Sequence, residues 1–349
     1  MLDNKHMDKK AFFKGLFEAT KVVAPAIATQ QVYDKMFGHH FSTYTPLYFS
    51  DTDFPNLEKE RHVFKSINKK RLIGYIYQQK SKQNKGIFVF CHGYGGGGHH
   101  CYLDLINTIC KRGYLVFAYD ASSCDESEGN NIKGFTQGML DADKALTYVE
   151  SLKKYSKLPL YLIGHSWGAY SASTALGWHK RVKGLIAFSG FNSATTIFKA
   201  NGERFAGEQA NDFMVYVDTY EKLLFGNICQ RTAIESFKES KAKIVIVHSE
   251  DDSTVPIEAG FKLYKKAFKG DKRFKFVKFK NQGHGTVFYT SEGKAYHDKI
   301  HNEFERYAKA NKPDEEAKAK FLKEHIDRKK YNKMVDEKLI KNLISFITK

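Results

Sequence analysis

Residues 158–176 read LPLYLIGHSWGAYSASTAL, and this stretch decides the fold. The apolar run Leu160–Ile163 has the length of a buried strand, and the run after Trp167 is rich in helix-forming residues. Between them stands Gly164-His165-Ser166-Trp167-Gly168, a G-x-S-x-G turn joining strand to helix. Such a turn holds its serine in a strained conformation at the carboxyl end of a sheet, where a substrate reaches the hydroxyl. The flanking glycines leave room for the neighbouring backbone. The following helix directs its positive end at a developing oxyanion, so Ser166 reads as a nucleophile.

Working outward, the same strand–helix rhythm recurs. Gly86–Cys91 (GIFVFC), Tyr114–Tyr119, Val182–Phe188, Ile244–Val247 and Phe274–Phe279 read as further strands, with helices over about 134–154 and after Trp167. The alternation predicts an α/β fold with a mostly parallel sheet, helices on both faces and a helical cap insertion. Arg61–Ile67 and Leu72–Gln78, separated by Asn68-Lys69-Lys70, predict an antiparallel hairpin ahead of that series. Residues 191–240 interrupt the rhythm with Phe191, Phe198, Phe205, Phe213, Tyr216 and Tyr220, and read as the cap. The expected organisation is an N-terminal helical segment over 1–45 and a main domain over 46–349. The latter carries the cap and a charged helical C-terminal extension over about 290–349, ending in the amphipathic Leu339, Ile340, Leu343, Phe346 and Ile347.

Three further motifs complete a catalytic pattern. GIFVFC runs into His92-Gly93-Tyr94-Gly95-Gly96-Gly97-Gly98. A serine hydrolase needs two backbone N–H donors for its oxyanion, one from the residue after the nucleophile (Trp167) and one from such a loop (Tyr94). No Gly-Lys-Ser/Thr follows these glycines, which argues against a phosphate-binding loop. The strand KIVIV leads into Asp251-Asp252-Ser253-Thr254-Val255-Pro256, where Asp252 is expected to orient the base, with Asp251 as the alternative. After the last strand, Gly283-His284-Gly285 supplies a candidate general base, completing the order Ser, Asp, His. A metal set built on His92, His99 and His100 is not expected, and His297 and His301 lack the glutamate of HExxH.

These motifs carry a resemblance. HGYGG (92–96), GHSWG (164–168), DDSTVP (251–256) and GHG (283–285) resemble the α/β-hydrolase superfamily, closest to its serine aminopeptidase/monoacylglycerol lipase-like branch, over about residues 60–290. Asp120, Ser127 and Gly129 also match that branch, but Ser123-Cys124-Asp125 stands where it usually has Gly-x-Gly. The resemblance implies cleavage of carboxylic esters through an acyl-enzyme, with Ser166 attacking, His284 as base and Asp252 holding its tautomer, and with no metal or organic cofactor. A peptidase or amidase using the same triad is the alternative, and a binding protein on a hydrolase fold a third reading.

The bulk properties set the surroundings. The 349 residues are 42% hydrophobic and 27% charged, an ordinary globular balance. The net charge of +17 comes mostly from scattered lysines and reads as a solvated basic surface, without a nucleic-acid motif. A weak membrane-surface contact would use the helix expected over about 8–37, whose apolar face is Phe12, Phe13, Leu16, Phe17 and Met36. Five irregularly spaced cysteines suggest free thiols, and the charged N-terminus does not read as a signal peptide, so a cytoplasmic protein is expected. The partner expected is a small-molecule or acyl ester substrate.

Overall fold

A computed structural model describes residues 25–80, 84–207 and 210–349. Its centre is an eight-stranded sheet in the order β1-β2-β4-β3-β5-β6-β7-β8. In chain order the strands are β1 Leu57–Lys65, β2 Arg71–Gln79, β3 Ile87–Cys91, β4 Leu115–Tyr119, β5 Leu160–His165, β6 Val182–Phe188, β7 Lys243–Ser249 and β8 Phe274–Phe279. β1 and β2 form the antiparallel hairpin, and β2 also runs antiparallel to β4; all other neighbours are parallel. β1 starts four residues earlier than its apolar run, because Leu57 to Glu60 continue the pairing opposite Gln79 to Ile76 on an exposed edge.

The central strands are buried at every position, and almost wholly apolar, because both faces are covered. The two-residue period divides them cleanly. Ile87, Val89, Leu160, Leu162, Leu185 and Ala187 join one core. Phe88, Phe90, Tyr161, Ile163, Ile186 and Phe188 join the other.

The helices are α1 Pro25–Phe37, α2 Leu103–Cys110, α3 Thr136–Ser151, α4 Trp167–Ala175, α5 Ala194–Ala206, α6 Ala210–Phe225, α7 Ala233–Glu239, α8 Phe261–Ala267, α9 Ser291–Asn311, α10 Glu315–His325, α11 Arg328–Tyr331 and α12 Glu337–Thr348. Met139, Ala142, Ala169 and Tyr264 from α3, α4 and α8 fill the first core; Leu105, Ile109, Ile340 and Leu343 from α2 and α12 fill the second. The last helix is therefore part of the layer covering the sheet. It lies so close to β6 that a Cβ on Gly184 would come within 2.6 Å of Ile347.

Between β6 and β7 the chain forms α5, α6 and α7. Tyr33 of α1 donates a 2.8 Å hydrogen bond to the buried Glu221 of α6, whose other oxygen accepts from Thr136 at the start of α3 at 2.7 Å. Of the apolar face expected over 8–37, Phe12, Phe13, Leu16 and Phe17 lie outside the described residues; Met36 packs partly buried against the first core.

Candidate active site

Ser166 occupies the step from β5 to α4 with φ 57° and ψ −121°. A non-glycine residue reaches this region only under strain, of roughly 1–3 kcal/mol. The close packing beneath it explains the two flanking glycines. A Cβ on Gly164 would lie 2.4 Å from the Gly168 carbonyl oxygen, and one on Gly168 would lie 2.0 Å from the Cys91 carbonyl oxygen. The turn is pinned by the Ser166 N–H, which donates to the Phe188 carbonyl at 2.8 Å. The Trp167 N–H belongs to the first turn of α4, where helix geometry supplies no acceptor.

Asp252 and His284 meet from two loops at the same end of the sheet. His284 Nδ1 lies 2.7 Å from Asp252 Oδ2, while Asp252 Oδ1 accepts from the N–H groups of Thr254 and Val255 at 2.9 and 2.8 Å. Burial alone would raise the Asp252 carboxyl, but the His284 and His248 rings and the Val255 N–H outweigh it and bring its pKa down to about 2. An ionised carboxylate only accepts, so His284 carries its proton on Nδ1 and leaves Nε2 with a lone pair. Asp251 takes a different position: it accepts from the Gly283 N–H at 2.8 Å and the Ser249 hydroxyl at 2.5 Å, holding the loop that presents His284.

His284 and the Ser166 turn are joined through His165. Its Nε2 lies 3.0 Å from the His284 carbonyl oxygen, and the two rings sit 4.8 Å apart, centre to centre. A carbonyl can only accept, so His165 Nε2 is protonated and Nδ1 is bare. The Tyr102 hydroxyl then donates to that Nδ1 at 2.9 Å and itself accepts from the Gly93 N–H at 3.1 Å. Burial and the neighbouring His284 push the His165 pKa down to about 3, keeping the ring neutral. One hydrogen-bonded line thus runs from the glycine loop through the serine turn to His284. Ser166 is only 9% exposed and the His284 side chain 17%, so the site is covered.

Residues 82–217 match the family described as "Serine aminopeptidase, S33", a stretch that includes Ser166 and ends before Asp252 and His284. A curated relative, the lysophosphatidylserine lipase ABHD12 of Danio rerio, is 24% identical over 199 residues, 54% of this chain; the chain spans about half, 49%, of that relative. Among solved structures, an esterase from Pyrococcus furiosus superposes with a TM-score of 0.53 at 15% identity, covering 74% of this chain and 94% of the other. An acylaminoacyl peptidase gives 0.51 at 19% identity, covering 72% and 41%.

The sheet has the α/β-hydrolase fold, and residues 82–217 are similar to that superfamily.

The glycine loop is braced from both ends. Tyr94 donates through its hydroxyl to the Met36 carbonyl of α1, and its ring packs on Phe37, Phe41, Phe135 and Trp167. Asp125 holds the far end: it accepts from the Thr43 N–H at 2.6 Å, the Thr43 hydroxyl at 2.7 Å and the Gly98 N–H at 3.0 Å. Ser123 and Asp125 both have positive φ, 63° and 39°. These are the two places where the resembling branch usually has glycine, so the departure keeps the backbone shape and replaces glycine's freedom with hydrogen bonds. Ser123 contributes one to the Asn131 carbonyl at 2.7 Å.

Sequence reasoning passed over His165, Tyr102 and Asp125. His165 filled a free position in the G-x-S-x-G pattern, and Tyr102 carried no motif at all. The histidines weighed as metal ligands have other partners. His92 Nε2 accepts from the Ala121 N–H at 2.9 Å, and its Nδ1 lies 2.8 Å from the Gly93 carbonyl. Acidic neighbours distant in sequence arrive through the fold. His99 is buried between Asp120, at 2.7 Å from Nδ1, and the Tyr77 hydroxyl, at 2.8 Å from Nε2; His100 stands 3.7 Å from Asp125. His297 and His301 stack on one another on α9. Among the described residues no group of three or more His, Cys, Asp or Glu side chains is arranged to hold a metal ion, and no helix is long and apolar enough to cross a membrane.

Proposed function

We propose that the chain hydrolyses carboxylic esters through an acyl-enzyme on Ser166. The observation that carries this reading is the 2.7 Å contact of His284 Nδ1 with Asp252, from a loop bonded to the residue preceding Ser166. His284 Nε2 takes the Ser166 proton as Oγ attacks the acyl carbon. The backbone N–H groups of Trp167 and Tyr94 receive the oxyanion. The C–O bond to the leaving group then breaks, and His284 returns the proton to the departing alkoxide. Water, deprotonated by the same imidazole, cleaves the acyl-serine bond and restores the enzyme.

Phe135, whose carbonyl accepts from the Trp167 indole, packs with Phe191 and Phe198 in an aromatic cluster beside the Ser166 turn, which supports an apolar acyl chain. The lipase named among the relatives supports the same class. A panel of p-nitrophenyl esters from acetate to palmitate tests the proposal. Turnover by the wild type and its loss in Ser166→Ala are expected, with the preferred chain length sizing the acyl pocket. Turnover that survives Ser166→Ala would overturn it. An aminopeptidase or amidase reading rests on the description of the matching family; peptide p-nitroanilides cleaved faster than every ester would favour it.

A further inference from the structure

Some of the lysines scattered along the sequence are gathered in space. Residues 157–159, 180–183 and 241–243 each lie at the amino end of a strand, and β5, β6 and β7 are neighbours in the sheet. Parallel strands bring their amino ends to one edge, so Lys157, Lys180, Arg181, Lys183, Lys241 and Lys243 converge on a single groove of about 720 Å³, closed on one side by the end of α12. Lys349 also lines it and is left out of the charge count. Among the described residues no aspartate or glutamate side chain lines this groove.

Two of the cations are held by backbone carbonyls, and Glu239 is a carboxylate whose field reaches Lys180. The Lys180 ammonium donates to the carbonyls of Gly177 and Glu239 at 2.7 and 2.8 Å. The Arg181 guanidinium donates to the carbonyls of Ser156 and Leu158 at 2.9 and 3.4 Å. Nearby carboxylates are engaged elsewhere: Glu239 with Arg231, Asp271 with Arg273 and Glu150 with His179. Lys157, Lys183 and Lys241 are exposed and Lys243 is half-buried beside the Phe346 ring, so four long side chains are free to reorient around two fixed charges.

We propose that this groove binds a small ligand bearing two or more phosphate groups. Six like charges converge where only a multivalent anion offsets them. Ammonium groups act as point charges that suit phosphate oxygens in several orientations. The concave shape, without an exposed large apolar side chain at its rim, fits a compact ligand better than a flat bilayer. The groove lies at the sheet edge opposite Ser166, about 20 Å away along β5, so it is separate from the ester-cleaving site and does not depend on that assignment. The phosphates could come on a soluble molecule or on a lipid headgroup, and the test separates the two.

Calorimetric titration of the full chain with inorganic tripolyphosphate should give saturable binding that weakens as salt is raised. Lys183→Gln, Lys241→Gln and Lys243→Gln combined should lower the affinity by about tenfold or more. Three charge-matched changes on the far helices, Lys299→Gln, Lys309→Gln and Lys320→Gln, should leave it unaltered. Arginine at the three groove positions should preserve binding, which separates lost charge from lost folding. Sedimentation with phosphatidylinositol bisphosphate vesicles, competed by tripolyphosphate and lost in the groove variant, assigns the phosphates to a lipid; tripolyphosphate binding without sedimentation assigns them to a soluble molecule. Absent saturable binding, equal losses in the two sets of variants, or binding of a nucleic acid but not of tripolyphosphate would overturn the proposal.

Discussion

Ser166 holds φ 57°, Ser123 63° and Asp125 39°, and each strained residue is fastened by neighbours that fix one part of the candidate site. Asp252→Asn should reduce kcat by about four orders of magnitude, because an amide in place of the carboxylate favours the wrong imidazole tautomer. Asp251→Asn keeps an acceptor for the Gly283 N–H and should cost much less; ester kinetics of the two variants decide between these aspartates. Tyr102→Phe removes the proton donor to His165 Nδ1 and the acceptor of the Gly93 N–H. It should lower kcat by about tenfold while KM changes little, because it shifts groups that stabilise the transition state without contacting bound ester. A fall in KM and kcat together, or a collapse of the melting transition, would instead mark Tyr102 as a packing residue. The contrast with Ser166 is instructive. A nucleophile, base and acid each carry a residue type and a position after a strand, whereas Tyr102 acts by one hydroxyl reaching across 63 residues, which no local pattern announces.

At the scale of elements, the strands were readable because burial on both faces forces continuous apolar runs, and the turn at Ser166 because it needs glycine on each side. What escaped was the bracing between elements. Asp125 ties the glycine loop to Thr43 across 82 residues, and Glu221 ties α6 to α1 and α3 across 188 and 85 residues. Nothing in a chain read locally separates such carboxylates from solvated ones. Asp125→Ala should destabilise the protein by about 2 kcal/mol, since it leaves the buried Gly98 N–H without this acceptor. It should also lower kcat by loosening the loop that carries Tyr94. Denaturant unfolding and ester kinetics on one preparation check both, and a normal kcat in a destabilised variant would remove Asp125 from the site's support. Asp120 and Asp125, the acidic partners of His99 and His100, likewise come from a loop distant in sequence, which no local reading of those histidines shows.

For the whole molecule, buried titratable groups give opposite pH responses that variants can separate. His165, with its pKa pushed down from 6.5 to about 3, stays neutral in the fold while the unfolded chain takes up a proton, so its contribution is present above pH 6.5 and lost toward pH 3. His165→Gln should therefore gain stability relative to wild type as pH falls across that window. Burial pushes the Asp104 carboxyl from 3.8 up to about 7, so the fold keeps a proton that the unfolded chain releases. Asp104→Asn should gain relative to wild type as pH rises from about 4 to 7, the opposite slope. Parallel curves for either variant and the wild type would contradict these burial effects. The central claim is the chemistry of Ser166, and the most direct measurement is intact-mass analysis after treatment with a fluorophosphonate, followed by peptide mapping. The account predicts one adduct per chain, located on Ser166, formed slowly in Asp252→Asn and absent from Ser166→Ala. An adduct on another residue, or an unmodified chain that nevertheless turns over esters, would contradict it.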